Sequence, residues 1–222
     1  TLDPHSFPTR RSSDLIILKL SSRKEGIMNL AVIGINYNNT PIDIREKVSF
    51  SKSQKYKACT YLIKKGISEI IIVSTCNRSE IYICSDEIDS HINEVVNFYK
   101  IFFNVESVNE YIFIKKDKEA VSHIYNVSAG LDSMILGEDQ ILGQVKEAVS
   151  YSMENKFSRK VLNKLFREAI TSAKKIKSEL KISETPISMV YIAIKLLEKN
   201  IGTLKGKKEI GRASCRERVW IK

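Results

Sequence analysis

Cys76 is the residue best placed to do chemistry. It follows a run of β-branched residues in EIIIVSTCNRSEIYIC (Glu69–Cys84), and Asn77 and Arg78 come directly after it. A strand end is where side chains emerge at a sheet rim, and Asn77 and Arg78 are awkward residues for a core. A guanidinium near a thiol favours the thiolate, the nucleophilic form, over a thiol of pKa about 8.5. Thr75 and Asn77 could donate hydrogen bonds to a carbonyl oxygen under attack. Cysteine is also among the most buried residue types, so a small core thiol and a nucleophile are both open readings. Cys59, on the apolar face of a helix, and Cys84, at a strand end, read as packing.

His123 lies in AVSHIYNVSAGLDSM, one turn into a helix. It is either a satisfied structural histidine or a base or orienting group for the thiol. GLDSMILGEDQILGQVKEA (130–148) is odd for a plain core helix, because Gly130, Gly137 and Gly143 weaken helix formation. Ser133, Glu138, Gln140 and Gln144 add polar groups at close spacing. Gln140 and Gln144 stand one turn apart beside Ile141, Val145 and Ala148. A solvated, kinked face would explain this, and so would a backbone opened to admit a polar ligand.

The elements that must position these residues follow from periodicity. LAVIGINYN (30–38) reads as a strand ending in a turn, and TPIDIREKVSF as a helix start at Thr40 and Pro41. SKSQKYKACTYLIKKG (51–66) is an amphipathic helix with Tyr56, Cys59 and Leu62 on one face, closed by Gly66. Strands at 70–74 and 80–84 flank the Cys76 turn, a helix spans 88–103, and EYIFIKK gives a fourth strand or edge segment. Beyond Asp117 the chain turns helical. A long helix at 158–180 carries Val161, Leu165, Ala169, Ala173 and Ile176 on one face. Another helix begins in SETPISMVYIAIKLLEKNIG, with Pro186 in its first turn and Gly202 after its end. A βαββαβ-like half followed by a helical half predicts α+β, a small mostly antiparallel sheet with helices on one face, then a helical subdomain.

At 222 residues the chain holds one ample domain or two small ones. No apolar run reaches membrane-spanning length and no secretory signal is present. The net charge is +10, but half of that surplus sits in residues 1–27 and 211–222. HSFPTRRSSDL (5–15) and IGRASCRERV (210–219) can be encoded on opposite strands of one DNA word that resembles a sequencing adapter. Residues 1–27 are therefore expected to be translated leader and adapter, with Met28 the natural start, and residues 210–222 to be adapter as well. That removes Cys215. Three remaining cysteines without paired spacing suit a reducing cytosol, and the absence of CxxC or HxxxH speaks against a metal site. Neither G-x-G-x-x-G nor G-x-x-x-x-G-K-[ST] occurs.

GINYNNTPIDIREKVSF (34–50), STCNRSEIY (74–82), GLDSMILGEDQILGQVKEA and SETPIS (183–188), in that order, resemble the N-terminal part of the glutamyl-tRNA reductase family. The resemblance covers essentially all of residues 28–209. It implies a catalytic domain over 28–182, then the start of a linking helix and the approach to an NADPH-binding domain over 183–209. It further implies that Cys76 attacks the ester of glutamyl-tRNA(Glu), that tRNA leaves, and that hydride from NADPH reduces the thioester to glutamate-1-semialdehyde. This is the first committed step of tetrapyrrole (porphyrin) synthesis. Thr75, Asn77 and Arg78 would line the glutamate pocket, with Arg78 on the substrate carboxylate. His123 matches a residue important for activity, and Ser133, Glu138, Asp139, Gln140 and Gln144 match substrate-contacting positions. Position 139 is usually proline in the family, and Tyr37 stands where histidine is common. The resemblance implies a cytoplasmic homodimer, joined through a domain missing here and handing product to an aminomutase. Without its NADPH domain this chain is expected to bind no cofactor and to stop at thioester formation or ester hydrolysis. The rival readings are a tRNA-binding or incompetent fragment without chemistry, and a thiol acyl-transfer enzyme for small esters.

Overall fold

The computed structural model describes residues 29–179 and 195–200, and the backbone of 209–212 and 218–221. Four strands, β1 (Leu30–Asn36), β2 (Glu69–Ser74), β3 (Arg78–Cys84) and β4 (Phe113–Lys116), form one sheet in the order β2-β3-β1-β4. Every neighbouring pair is antiparallel. Helices α1 (Ile42–Lys47) and α2 (Lys52–Lys64) join β1 to β2, and α3 (Ile88–Phe103) with a short 3-10 turn joins β3 to β4. This is the βαββαβ arrangement expected from the sequence, a split βαβ pattern with β1 and β3 at the centre. The fourth strand is an edge strand, as EYIFIKK suggested.

Three further helices follow: α4 (Asp117–Ala129), α5 (Gln140–Glu154) and α6 (Lys160–Glu179). Side chains alternate across a strand, so a strand buried along its whole length needs cover on both faces. β1 is such a strand. Ala31, Ile33 and Ile35 join Ile70, Ile72, Ile81 and Ile83 under α2 and α3. Leu30 and Val32 join Ile71, Val73 and Tyr82 under α4, α5 and α6. The first helices lie on one face as expected, and the helical half covers the other face, completing three layers.

Local chemistry sets the ends of these helices. Ser51 and Gln54 form a reciprocal capping box at the start of α2. Cys59 and Leu62 are buried on that helix, but Tyr56, expected beside them, is half exposed and meets Phe157 edge-on at 5.4 Å. At the start of α6, Glu69 of β2 accepts the backbone N–H groups of Arg159, Val161 and Leu162 at 2.8–3.0 Å. A buried carboxylate thus satisfies donors that the first helical turn leaves free. The buried stripe of α6 is turned from the expected one. Leu162 and Phe166 occupy it with Leu165, Ala169, Ala173 and Lys177, while Val161 and Ile176 are half-buried at its margins. Phe166 sets this rotation by packing edge-on against Tyr82 at 5.1 Å.

The helix expected within 183–202 lies outside the described residues except for 195–200, which are helical. Strands β5 (Glu209–Arg212) and β6 (Arg218–Ile221) pair antiparallel. They consist of residues expected to be adapter-encoded or next to them, and carry no functional weight. Among the described residues no helix is long and apolar enough to cross a membrane.

Candidate active site

The thiol sits in the tight connection between β2 and β3. Ser74 pairs with Ser79, and the Thr75 N–H donates to the Arg78 carbonyl at 2.8 Å. The Thr75 hydroxyl oxygen accepts the N–H groups of Asn77 (3.1 Å) and Arg78 (3.2 Å). These bonds leave Cys76 in a three-residue loop, partly exposed. Cys59 and Cys84 differ from it. Burial pushes both thiols up to about 12, with Glu69 and Asp86 adding to the effect at Cys84. Both behave as the packing residues expected.

A residue that the sequence reading passed over braces this loop. Arg45 of α1 donates from Nε to the Thr40 carbonyl (3.1 Å) and from Nη1 to the Cys76 carbonyl (3.2 Å) and Asn77 Oδ1 (2.9 Å). The chain after α1 is stitched to both strand ends. The Ser79 hydroxyl donates to the Val48 carbonyl, and the Phe50 N–H donates to Ser74 Oγ. No local signal in the sequence pointed to Arg45, because its loop partners lie 31 and 32 residues away.

Beneath the loop lies a buried charged cluster. β3 begins at Arg78, two residues earlier than expected, which puts Arg78, Glu80 and Tyr82 on one face of the strand. Arg78 Nη1 lies 2.7 Å from Glu80 Oε1 and 3.2 Å from Asp132 Oδ2, and Nη2 donates to the Asp132 carbonyl. Tyr82 donates to Glu80 Oε2 at 2.8 Å, and His123 Nε2 is 3.0 Å from Glu80 Oε1. Burial alone would push the Glu80 carboxyl up. The charge of Arg78 and the hydrogen bonds of His123 and Tyr82 outweigh it, and hold Glu80 down at about 2. Burial likewise opposes the charge on Arg78, but Glu80, Tyr82 and Asp132 raise its pKa above the usual value. An ionised Glu80 only accepts, so His123 Nε2 donates to it, while Nδ1 lies 3.3 Å from the Lys115 ammonium and 3.9 Å from Asp132 Oδ2. Gly34 makes the space for Glu80: a Cβ there would lie 2.3 Å from the Ser79 carbonyl oxygen and 2.7 Å from Glu80 Cα.

The ligand atoms of Glu80, His123 and Asp132 lie within 4.8 Å of one another, close enough for a metal ion. The cationic partner of both carboxylates, however, is Arg78. His123 also borders an open groove of about 410 Å³ with Lys115, Lys118, Glu119, Ser122 and Asn126.

The glycine-punctuated segment does open the backbone. α4 stops at Gly130, whose φ of 76° is left-handed, and residues 131–139 form a loop before α5. Within it Asp132 reaches Arg78, and the buried Ser133 hydroxyl has no hydrogen-bond partner among the described residues. Lys177 of α6, itself buried, pins the far end of the loop. Its ammonium donates to the carbonyls of Gly137 (3.1 Å) and Glu138 (2.7 Å) and to Asp139 Oδ1 (2.7 Å). Aspartate at 139 thus contributes an acceptor that proline could not. Lys177→Met should cost about 2–3 kcal/mol in urea denaturation, because two carbonyls lose a charged donor. An unchanged midpoint would mean that water replaces the ammonium.

The structure therefore ties Thr75, Asn77, Arg78, His123 and Asp132 to one region around Cys76. Glu138 and Asp139 are tied to α6 instead. Gln140 is exposed at the start of α5, and Gln144 is half-buried one turn on. Arg45, Glu80 and Lys177 are the structural supports that sequence reasoning missed.

Comparison with known proteins adds an independent line. The family described as "Glutamyl-tRNAGlu reductase, N-terminal domain" matches residues 33–180. A glutamyl-tRNA reductase of Clostridium novyi (strain NT) is 99% identical over 181 residues, 82% of this chain and 44% of that protein. One from Listeria welshimeri is 42% identical over 184 residues, again 82% of this chain and 42% of the relative. The solved glutamyl-tRNA reductase from Methanopyrus kandleri superposes with a TM-score of 0.63 at 27% identity, covering 80% of this chain and 41% of that one. The chain thus spans less than half the length of the relatives it matches.

Proposed function

Since the chain belongs to the glutamyl-tRNA reductase family, we propose that it carries the acyl-transfer half of that reaction. The Cys76 thiolate attacks the carbonyl carbon of the ester in glutamyl-tRNA(Glu). The S–C bond forms, the bond from that carbon to the ribose oxygen breaks, and the ribose oxygen takes up a proton as tRNA leaves. The glutamyl group remains on Cys76 as a thioester. What carries this reading is the position of Cys76: partly exposed in a hairpin loop, braced by Arg45 and two residues before a buried arginine.

Three donors near the thiol suit the oxyanion. Asn77 Nδ2 and the Cys76 N–H donate to no described group, and the Thr75 hydroxyl, which accepts two N–H groups in shaping the loop, keeps its own proton to donate. Arg78 is the partner for the glutamyl carboxylate, which takes the place that the Asp132 side chain holds in the free protein. Glu80 and His123 act as positioning residues, holding Arg78 from below. Ser133, with its unpartnered hydroxyl, and Glu138, Asp139, Gln140 and Gln144 form the loop side of the substrate pocket.

For the whole reductase, the same reading carries NADPH as hydride source, glutamate-1-semialdehyde as product, tetrapyrrole biosynthesis as pathway, a cytoplasmic homodimer and a downstream aminomutase. The residues described here do not fit a nicotinamide dinucleotide. Their four-stranded sheet is antiparallel throughout, and the sequence has no glycine-rich turn between strand and helix. Reduction is therefore no part of the chemistry assigned to this chain.

The test is capture of the intermediate. The chain is mixed with tRNA charged with labelled glutamate, quenched in acid and digested. Label is expected on the peptide containing Cys76, and released by hydroxylamine. Label on Cys59 or Cys84, or none on any cysteine, sinks the proposal.

A further inference from the structure

We infer that the outward face of α6 is a docking track for an RNA backbone, leading toward the thiol site. Lys160, Lys164, Arg167, Thr171 and Lys174 recur at intervals of four and three residues, and so lie along one face of the helix. The opposite face carries the buried Leu162, Leu165, Phe166, Ala169 and Ala173. At a rise of 1.5 Å per residue, the basic face is roughly 21 Å long. Near its start, Arg159, Lys160, Lys164 and Arg167 line a groove of about 410 Å³ with Asn163 and Glu168.

These charges are not ion-paired among the described residues, although Glu168 lines the same groove. Lys160, Lys164, Arg167 and Lys174 make no ion pair with any described carboxylate, while neighbouring Lys175 and Lys177 pair with Glu179 and Asp139. Like charges a turn apart destabilise a helix, so their arrangement costs stability that a polyanion would restore. The face holds no aliphatic or aromatic residue, which a helix lying in a membrane surface requires.

The direction of the helix gives the track its role. Its first turn is held by Glu69, at the start of β2, and its last turn by the contacts of Lys177 to Gly137, Glu138 and Asp139. β2 likewise starts at Glu69 and ends beside the Cys76 loop. Both elements therefore run from the Glu69 end of the sheet toward the site. An RNA helix laid along α6 has one end directed at the substrate loop. Naming that RNA as tRNA rests on the acyl-transfer reading. The positive face and its direction do not.

The experiment measures binding of uncharged tRNA(Glu) by fluorescence anisotropy, with the chain carrying Cys76→Ser so that no chemistry intervenes. The track variant is K160Q/K164Q/K174Q, and K52Q/K57Q/K64Q on α2 is a control of equal charge. Glutamine keeps helix propensity, and single substitutions at 160, 164 and 174 supply the same readout if the triple variant unfolds. The track variant should bind at least tenfold more weakly at 50–100 mM salt. Its slope of log K against log salt should fall by about 2–3, near 0.9 per lost phosphate contact. The control should bind like the parent. Equal weakening in both variants, no tRNA binding by the parent, or preference for anionic phospholipid vesicles over tRNA would overturn the inference. Failure here leaves the acyl-capture result standing, and failed capture on Cys76 leaves this binding result standing.

Discussion

Cys76→Ser should slow deacylation of glutamyl-tRNA by this chain on the order of a thousandfold or more, to near the spontaneous rate. A serine hydroxyl is a far weaker nucleophile without a base beside it, and no hydrogen bond links His123 to position 76. Both His123 ring nitrogens are engaged, with Glu80 and Lys115. Cys59→Ser and Cys84→Ser should keep parental rates if the protein folds, since burial keeps both thiols protonated. A Cys76→Ser chain that deacylates as fast as its parent would remove the nucleophile from position 76. Binding of uncharged tRNA should be the same in parent and variant, which separates lost chemistry from lost docking.

Glu80→Ala should destabilise the fold by about 3–5 kcal/mol, the range for stripping one partner from a buried ion pair. Arg78 is 2% exposed and Glu80 0%, so water cannot replace the lost carboxylate. Against a total stability of about 5–15 kcal/mol this is a large fraction, visible as a lower urea midpoint. Asp132→Asn should cost less, because the Asp132 side chain is 24% exposed and Glu80 still holds the guanidinium. Acid adds a second readout. Glu80 is held down at about 2 in the fold from a reference of 4.5, so between those values the unfolded chain binds more protons. Its contribution is full above pH 4.5 and is lost as pH falls toward 2. The parent should therefore lose more of its urea resistance over that window than Glu80→Gln. Parallel losses in both chains would show that other carboxylates set the acid limit.

The order of strands and helices was legible because it rests on local signals. β-branched runs mark β1, β2 and β3, Gly66 and Gly130 stop helices, and an alternating edge segment gives β4. The start of β3 was misjudged because Arg78 and Ser79 resemble turn residues, and that slip hid Glu80. Once the strand begins at Arg78, a period of two puts residue 80 beneath it, and Gly34 across the sheet becomes the space it needs. The parts of the site that local chemistry flagged, Cys76 with its neighbours and the glycine-rich segment, do meet. Arg45, Glu69 and Lys177 could not be found this way. Each is a charged residue on an ordinary polar position, and its role depends on a backbone 31 or more residues away. The expected stripe on α6 held at Leu165, Ala169 and Ala173 but missed Leu162, Phe166 and Lys177. Val161 and Leu162 are equally apolar, and only the fit of Phe166 against Tyr82 decides which turns inward.

The carboxylate of Asp132 on Arg78 amounts to a competitor tethered inside the protein. The Asp132 backbone carbonyl accepts from the same guanidinium, so this carboxylate is held at Arg78 and cannot diffuse away. If Arg78 takes the glutamyl carboxylate as proposed, free glutamate at ordinary concentrations has little advantage over it, since both offer the same carboxylate to the same guanidinium. A glutamyl group delivered on a large carrier has one, because contacts made elsewhere raise its own effective concentration at the site. The pocket would then ignore the loose amino acid and respond to the tethered one, with selectivity that comes from attachment and not from the shape of the glutamate.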